Sequence, residues 1–289
     1  MRKHQNKLPQ ALRKMKAFTR TSALLSLLAL AAAQSVFAQT DTLVKSPEAK
    51  QGEASSVKIV AGKQTENFFA IPSPAEGRPE KLPFLLYAPR DYDAAKKYPL
   101  LLFLHGVGES GDGDFKKLAI HGPPKRIGKE GQHYPFIVVS PQSPMPGMEM
   151  EEIIVSWKTN ELMALLDQVE AQLSIDRTRV YVSGMSMGGF GTWRLVADHP
   201  ERFAAAIPVC GGGKIEWAEK LKSVPIWAFH GGKDGVVPFK LGKEIVDAIQ
   251  LAGGDVKLTV YPKANHDSWT ATYENAEIYK WLLRHKRKD

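Results

Sequence analysis

Ser186 is the residue whose surroundings point most directly to nucleophilic chemistry. It lies in the run Gly184-Met-Ser-Met-Gly188, after a short apolar stretch and before a helix-like segment. A strand, a sharp turn and a helix form the context in which a serine between two glycines becomes an exposed nucleophile. Such a turn brings residues 184 and 188 too close together for side chains, which accounts for the two glycines. Taken alone, the pattern also fits a glycine-rich turn with a surface serine.

A serine nucleophile needs a base that takes its proton and an acid that orients the base. Asp234 and His266 each follow a separate apolar run later in the chain. The chain order serine, aspartate, histidine favours Asp234 as the acid and His266 as the base. Asp267 is a rival acid, but its place beside His266 gives it little reach to the Nδ1 atom of that ring.

The other reactive residue types favour structural roles. His105 and His230 each precede a glycine at the end of a predicted strand, where a histidine more often bonds a neighbouring loop than reacts. The histidines lack the HxH or HExxH spacing of a metal site, and no cofactor is indicated. Cys210 is the one cysteine, so it has no disulfide partner within the chain, and its apolar surroundings predict a buried small side chain.

Apolar runs that alternate with helical segments predict an α/β fold with a mostly parallel sheet flanked by helices. The predicted strands are Phe68-Phe69, 81–89, 98–105, 135–140, 179–183, 203–209, 224–229 and 256–261. The predicted helices are 159–173, 241–251 and one from Glu274 through Leu282. Pro83 favours an edge or the start of its strand. The stretch from Pro141 to Trp157 is too irregular for an element and is expected to form a pocket wall.

The N-terminus has the organisation of a secretory signal peptide. Seven basic residues precede an apolar run at 23–33, and a cleavage site with small residues follows, ending at Ala38. We therefore expect residues 1–38 to be removed. Translation could start at Met1 or Met15. The apolar run is too short to span a membrane. Export to the periplasm or the medium is therefore expected, without a stable membrane anchor.

Removal of residues 1–38 lowers the net charge from +8 to about +1, so the charge gives no reason to expect nucleic-acid binding. Residues 39–63 are polar and predict a flexible lead-in. Residues 64–289 are expected to form a single catalytic domain. The gap from Cys210 to Ser223, where a lid would be inserted, is too short for a large lid domain.

Several linked motifs resemble one family of secreted bacterial esterases. They are Leu104-His-Gly-Val-Gly-Glu-Ser-Gly111, the stretch 182–193, Phe203-Ala-Ala-Ala-Ile-Pro-Val-Cys-Gly-Gly212, His230-Gly-Gly-Lys-Asp234 and His266-Asp-Ser-Trp269. The family is the phospholipase/carboxylesterase and dienelactone-hydrolase-like group, which includes prolyl-oligopeptidase-like "predicted peptidases"; feruloyl and polyhydroxybutyrate esterases are similar to it.

The resemblance covers the chain from about Leu82 onward and implies the α/β-hydrolase fold. It implies Ser186 as nucleophile, Asp234 as acid and His266 as base. It also implies an oxyanion hole formed by the backbone N–H groups of Val107 and Met187.

Trp157 and Trp269 are candidates for stacking on an aromatic or sugar group of a substrate, although packing within the core explains them equally well. The sequence favours a serine carboxylesterase that hydrolyses small to medium carboxylic esters, including aromatic or carbohydrate-linked esters. A serine peptidase of prolyl-oligopeptidase type remains an alternative, although the chain has no room for a β-propeller. A non-catalytic binding module on the same scaffold is a third possibility. The oligomeric state is left open.

Overall fold

The structure is a computed structural model that describes residues 56–72, 74, 78–144 and 149–287. The predicted signal peptide, residues 1–38, lies outside the described residues, as does most of the predicted lead-in. In the described part of the chain, we find no helix with the length and apolar character that a membrane span requires.

An eight-stranded sheet forms the centre of the described domain. Its spatial order is β1-β2-β4-β3-β5-β6-β7-β8. The first three strands in this order pair antiparallel, and β4, β3 and the later strands pair parallel. The strands are β1 (Gln64–Ala70), β2 (Lys81–Tyr87), β3 (Tyr98–Leu104), β4 (Ile137–Pro141), β5 (Ile175–Met185), β6 (Ala205–Val209), β7 (Ile226–Gly231) and β8 (Val256–Tyr261). The mostly parallel sheet predicted from the sequence is confirmed.

Helices flank the sheet, and its two faces bury separate hydrophobic clusters. The helices are α1 (Phe115–Leu118), α2 (Gly122–Gly128), α3 (Met150–Ile154), α4 (Thr159–Gln172), α5 (Met187–Asp198), α6 (Ala218–Leu221), α7 (Phe239–Leu251), α8 (Trp269–Glu274) and α9 (Ala276–Arg284). Along β3, Leu100 and Leu102 belong to one cluster, whereas Leu101 and Phe103 belong to the other. Strand β3 is therefore buried on both faces, as its continuous apolar run predicted.

Two expectations about local structure are wrong. Pro83 lies inside β2, which pairs with β1 on one side and β4 on the other, so β2 is not an edge strand. The missing N–H lies on the same side of the strand as the Pro83 carbonyl, which accepts from the Gln142 N–H (2.8 Å). The paired residues of the β2–β4 ladder begin only at Phe84, so the proline lies just beyond the end of that ladder. The stretch expected to be irregular contains α3, whose first turn has an acidic capping box formed by Glu149 and Glu152.

The C-terminal helix predicted from about Glu274 through Leu282 corresponds to α9 (Ala276–Arg284), and a separate helix, α8, precedes it. Helix α8 ends at Glu274, and α9 begins after Asn275, whose side chain accepts a hydrogen bond from the Glu277 N–H (3.0 Å). This is an N-cap, so the chain starts a new helix at Asn275 instead of continuing the old one.

The end of the predicted lead-in is bound to the domain. The Val57 N–H donates to Gln172 Oε1 (2.7 Å), and the Lys58 N–H donates to Asn67 Oδ1 (2.7 Å). The Gly62 N–H donates to the Ala88 carbonyl (2.9 Å). The folded domain therefore begins several residues before the expected boundary at residue 64.

The connection between β6 and β7 is short. It contains only a 3-10 helix, Ile215–Trp217, and the one-turn helix α6. Within residues 205–231, all of which the structure describes, there is no inserted domain that could cover the carboxyl ends of the strands. The connection is thus short, as the spacing from Cys210 to Ser223 predicted.

Candidate active site

Ser186 lies in a sharp turn between β5 and α5. Its backbone has φ 53° and ψ −116°, a conformation that a non-glycine residue rarely adopts. The Ser186 N–H donates to the Val209 carbonyl (2.9 Å), and its own carbonyl accepts from the Phe190 N–H (3.0 Å). These two bonds hold the serine at the carboxyl edge of the sheet, where the sites of open α/β sheets form.

Glycines make this turn possible. A Cβ atom at position 184 would overlap the backbone of Gly188, and a Cβ atom at position 188 would overlap the Leu104 carbonyl. The close approach predicted for residues 184 and 188 is confirmed, and Gly188 is also pressed against the end of β3.

Ser186, His266 and Asp234 form one hydrogen-bonded chain. His266 Nε2 lies 2.9 Å from Ser186 Oγ, and His266 Nδ1 lies 2.8 Å from Asp234 Oδ2. An ionised carboxylate only accepts, so Nδ1–H is the donor and Nε2 is free to accept the serine proton. The sequence placed these residues on three separate loops, and the structure brings all three together.

The Asp234 carboxylate is held by its own loop. Its side chain is fully buried, and Oδ1 accepts hydrogen bonds from the Val236 N–H (3.0 Å) and the Val237 N–H (2.9 Å). His230 Nε2 donates to the Val237 carbonyl (2.9 Å) and lies 3.4 Å from Asp234 Oδ2. Burial lowers the pKa of His230. His230 thus ties the acid loop to the end of β7, which is the structural role predicted for it.

Asp267, the rival acid, faces elsewhere. Its carboxylate accepts hydrogen bonds from the Thr270 N–H (3.0 Å) and the Thr270 hydroxyl (3.0 Å), near the start of α8. The residue is exposed. Because these bonds occupy both of its oxygens, Asp267 helps to begin the helix that follows the histidine loop.

His105 fixes the peptide that joins Gly106 to Val107. The Ser143 N–H donates to His105 Nε2 (2.9 Å), so Nδ1 carries the proton and donates to the Gly106 carbonyl (2.6 Å). In a trans peptide the carbonyl and the following N–H point in opposite directions. The Gly106 carbonyl is held inward by His105, so the Val107 N–H is directed away from the protein interior.

The Met187 N–H is also available for a ligand. Met187 is the first residue of α5, so its N–H has no acceptor within the helix. The positive end of the helix dipole lies at this point. Two backbone donors, one after Gly106 and one after Ser186, are therefore suited to an anionic oxygen near the serine.

His105 is kept neutral by its surroundings. It is fully buried, and burial lowers its pKa from 6.5 to about 4. The ring of Trp157 packs edge-on against it, with ring centroids 4.9 Å apart. An uncharged His105 has one donor and one acceptor nitrogen, which is what its two hydrogen bonds require.

The two tryptophans have different environments. Trp157 is 2% exposed and packs against Gly191 of α5, where an added Cβ would lie 2.7 Å from the indole ring. The expected contact between Trp157 and a substrate has no support, because this side chain has almost no accessible surface. Trp269 is partly exposed, and its ring lies edge-on to His266 at 5.2 Å and to His121 at 5.5 Å.

Cys210 lies close behind the serine loop. It is fully buried, and burial raises the pKa of its thiol to about 12. Its N–H donates to the Phe229 carbonyl (2.8 Å). The predicted buried small side chain is confirmed. In the part of the chain that the structure describes, no group of three His, Cys, Asp or Glu side chains is arranged to hold a metal ion.

Sequence reasoning missed two polar side chains near the site. Glu109 is buried in the loop that follows β3, and His121 precedes α2, with its Nε2 atom 3.5 Å from Glu109 Oε1. Glu109 lies in the stretch Leu104–Gly111 that carries part of the family resemblance, but the resemblance assigns it no role, and His121 lies outside the quoted motifs.

The strand order of the sheet, together with Ser186 hydrogen-bonded to His266 at the carboxyl edge of that sheet, defines an α/β hydrolase. A family model described as phospholipase/carboxylesterase matches residues 92–282, and the chain belongs to this family. The fold and family that the sequence resemblance implied are thereby confirmed.

Individual relatives extend this result. The chain is similar to a bifunctional acetylxylan esterase/xylanase of Neocallimastix patriciarum, with 33% identity over 201 residues, 68% of this chain and 27% of that protein. It is also similar to dipeptidyl-peptidase 5 of Porphyromonas gingivalis, with 23% identity over 249 residues, 69% of this chain and 35% of that protein. It therefore spans between about a quarter and about a third of the length of these curated relatives. Among solved structures, a thermostable esterase gives a TM-score of 0.66 at 33% identity, covering 78% of this chain and 64% of that chain.

Proposed function

We propose that the protein is a serine carboxylesterase that hydrolyses small to medium carboxylic esters through an acyl-enzyme. The observation that carries this proposal is the hydrogen-bonded chain from Ser186 through His266 to Asp234, with contacts of 2.9 Å and 2.8 Å. Membership of the phospholipase/carboxylesterase family supports the same chemistry.

The first half of the reaction forms the acyl-enzyme. His266 Nε2 takes the Ser186 hydroxyl proton while Oγ attacks the ester carbonyl carbon. The carbonyl oxygen becomes an oxyanion, which accepts hydrogen bonds from the Val107 and Met187 N–H groups. Asp234 stabilises the imidazolium. As the intermediate collapses, the proton on His266 passes to the leaving alcohol.

The second half releases the acid. A water molecule gives a proton to His266 Nε2 and attacks the acyl carbon of the ester on Ser186. The same two backbone donors stabilise the second oxyanion. Return of the proton to Ser186 Oγ breaks the acyl bond and restores the enzyme.

The short β6–β7 connection and Trp269 support the proposed substrate class. The short β6–β7 connection supports access for an ester attached to a larger molecule. The partly exposed indole of Trp269 lies beside His266 and offers a flat surface to an aromatic or sugar group. The acetylxylan esterase/xylanase relative supports a carbohydrate-linked ester as one natural substrate.

The test is hydrolysis of p-nitrophenyl acetate by the mature protein and by Ser186→Ala. The wild-type protein should turn over the ester and react with a fluorophosphonate probe, and the variant should do neither while keeping its circular dichroism spectrum. Ser140→Ala is the matched control, because its hydroxyl is buried in β4 and has no hydrogen-bond partner among the described residues. An active Ser186→Ala protein, or an inactive wild type, would refute the proposal.

Peptide hydrolysis is the second candidate activity, supported by the similarity to dipeptidyl-peptidase 5. The same serine and histidine can attack an amide. Matched acyl groups on p-nitrophenol and p-nitroaniline separate the two activities: we expect kcat/KM to be far higher for the ester. A comparable or higher value for the anilide would favour the peptidase.

Export is proposed from the organisation of residues 1–38. The mature N-terminus should be Gln39, found in the periplasm or the medium. Mass spectrometry of the N-terminal peptide from each cell fraction tests this. Cytosolic protein that keeps residues 1–38 would contradict it.

A further inference from the structure

Glu109 is a buried acid that the proposed mechanism does not use. It ends the short 3-10 helix Val107–Glu109, and its side chain is 4% exposed. In the described part of the chain, its Oε2 atom is buried without a hydrogen-bond partner. An unpaired buried carboxylate oxygen is costly, so its presence beside the active site calls for an explanation.

The Glu109 carboxyl lies against the peptide that carries one oxyanion donor. Oε2 is 3.3 Å from the point that a Cβ atom on Gly106 would occupy, and Ser186 Cβ is 3.6 Å from the same point. The Glu109 N–H also donates to the Gly106 carbonyl (3.2 Å), the oxygen that His105 holds from the other side. The Gly106–Val107 peptide is thus fixed between His105 and Glu109.

The groups that face Glu109 give it no close permanent counter-charge. Lys117 of α1 is directed to the Ser110 carbonyl (2.8 Å). His121 lies 3.5 Å away, and burial lowers its pKa, while the Asp267 carboxylate opposes that shift. His105 is neutral.

Burial dominates the ionisation of Glu109. It raises the pKa of the carboxyl from 4.5 to about 7, while the backbone N–H groups of Glu109 and Gly106 and the Lys117 ammonium act in the opposite direction. The acid is therefore neutral in mildly acidic solution and becomes ionised within the range in which the enzyme would work.

We propose that Glu109 is a positioning residue of the oxyanion hole, an inference that rests on the proposed esterase function. Glu109 supports the oxyanion hole as the neutral acid and weakens it when the carboxyl ionises. In the neutral state its carboxyl packs against Gly106 and adds no charge. In the ionised state it places a negative charge close to the oxyanion that forms at Val107. Two negative charges in a poorly solvated site repel each other, so the transition state rises in energy.

The proposal has a distinctive consequence for the pH dependence. Ionisation of Glu109 lowers kcat/KM at higher pH. The profile should therefore have an alkaline limb that belongs to Glu109 and not to Ser186, His266 or Asp234.

The test is the pH profile of kcat and KM for phenyl acetate, measured by chromatography of the released phenol. In the wild type we expect kcat to fall about tenfold on the alkaline side with little change in KM. Glu109→Gln cannot ionise, so it should lose this alkaline limb. Glu161→Gln is the matched control, because Glu161 is a buried acid on helix α4 that is paired with Arg78 (2.6 Å). It should lose stability but keep the alkaline limb.

A second variant keeps the proposal testable if Glu109→Gln does not fold. Lys117→Met removes an ammonium that favours the ionised carboxyl, so the pKa of Glu109 rises and the alkaline limb should move to higher pH. An unmoved limb in Lys117→Met, or a Glu109→Gln profile with the wild-type shape, would overturn the proposal.

Carboxyl infrared spectra of Ser186→Ala measure the ionisation without turnover. We expect a carbonyl band that titrates near pH 7 and that is absent from the double variant carrying Ser186→Ala and Glu109→Gln. A band that titrates near pH 4.5 would contradict the proposal. Because this measurement needs no ester hydrolysis, it separates a failure of the Glu109 proposal from a failure of the esterase proposal.

Discussion

The ring of Trp157 packs edge-on against the ring of His105, with their centroids 4.9 Å apart. His105 in turn holds the Gly106 carbonyl at 2.6 Å. A buried aromatic contact therefore supports the hydrogen bond that holds the Gly106 carbonyl, and with it the peptide that joins Gly106 to Val107.

His105→Ala removes the bond that orients this peptide. We expect kcat for p-nitrophenyl acetate to fall about 10²-fold with little change in KM, because one oxyanion donor is misdirected. His105→Asn is the matched control: its side-chain N–H can reach the Gly106 carbonyl, so it should retain most of the activity. Steady-state kinetics on both variants check this, and wild-type kcat in His105→Ala would show that the bond is dispensable.

His105 and Glu109 should have opposite effects on stability as the pH changes. The folded-state pKa of His105 is depressed, so its contribution is present above pH 6.5 and is lost as the pH falls to about 4. The folded-state pKa of Glu109 is raised, so its contribution is present below pH 4.5 and is lost as the pH rises to about 7. Each change amounts to about 3 kcal/mol, and in the wild type the two partly cancel.

Urea unfolding near pH 4 and near pH 7.5 measures these contributions. The destabilisation caused by His105→Asn should be larger at the higher pH. Glu109→Gln should gain stability relative to the wild type at the higher pH. If the unfolding free energies of a variant and the wild type differ by the same amount at both pH values, the pKa shift of the substituted residue does not exist.

Asp234→Asn should lower kcat by about 10⁴-fold, the size of effect known for this change in serine hydrolases with the same three residues. An amide can donate to Nδ1, which places the imidazole proton on Nε2 and removes the acceptor that Ser186 needs. Asp267→Asn is the matched control, because its carboxylate binds Thr270, and its kcat should stay near the wild-type value. A large loss in Asp267→Asn with a small loss in Asp234→Asn would reverse the assignment.

Much of this site is visible in the sequence because the main strands are continuous apolar runs. Once β5, β7 and β8 are located, the geometry of a parallel sheet places the loops that follow them at one edge. The order of Ser186, Asp234 and His266 then identifies these as the loops that meet. The role of Gly184 and Gly188 in the serine turn is also predictable from the sequence, because a close backbone approach excludes a side chain.

The remainder depends on packing between distant segments. The side of β2 on which Pro83 lacks an N–H donor cannot be read from the residue alone. The burial of Trp157 depends on Gly191, a residue of another helix that leaves space for the indole. Glu109 resembles any acid in a glycine-rich surface loop until the fold encloses it.

Gly188→Ala should prevent stable folding. Its Cβ would overlap the Leu104 carbonyl, and neither β3 nor the serine turn can move away without breaking the sheet edge. We expect a loss of about 4 kcal/mol or more in unfolding free energy, or insoluble protein.

Gly235→Ala is the matched control, because an added Cβ there has no atom within 4 Å and its φ lies outside the left-handed region. Its unfolding free energy should stay within about 0.5 kcal/mol of the wild type. Thermal and urea unfolding compare the two, and equal stability would show that the close approach at residue 188 is absent.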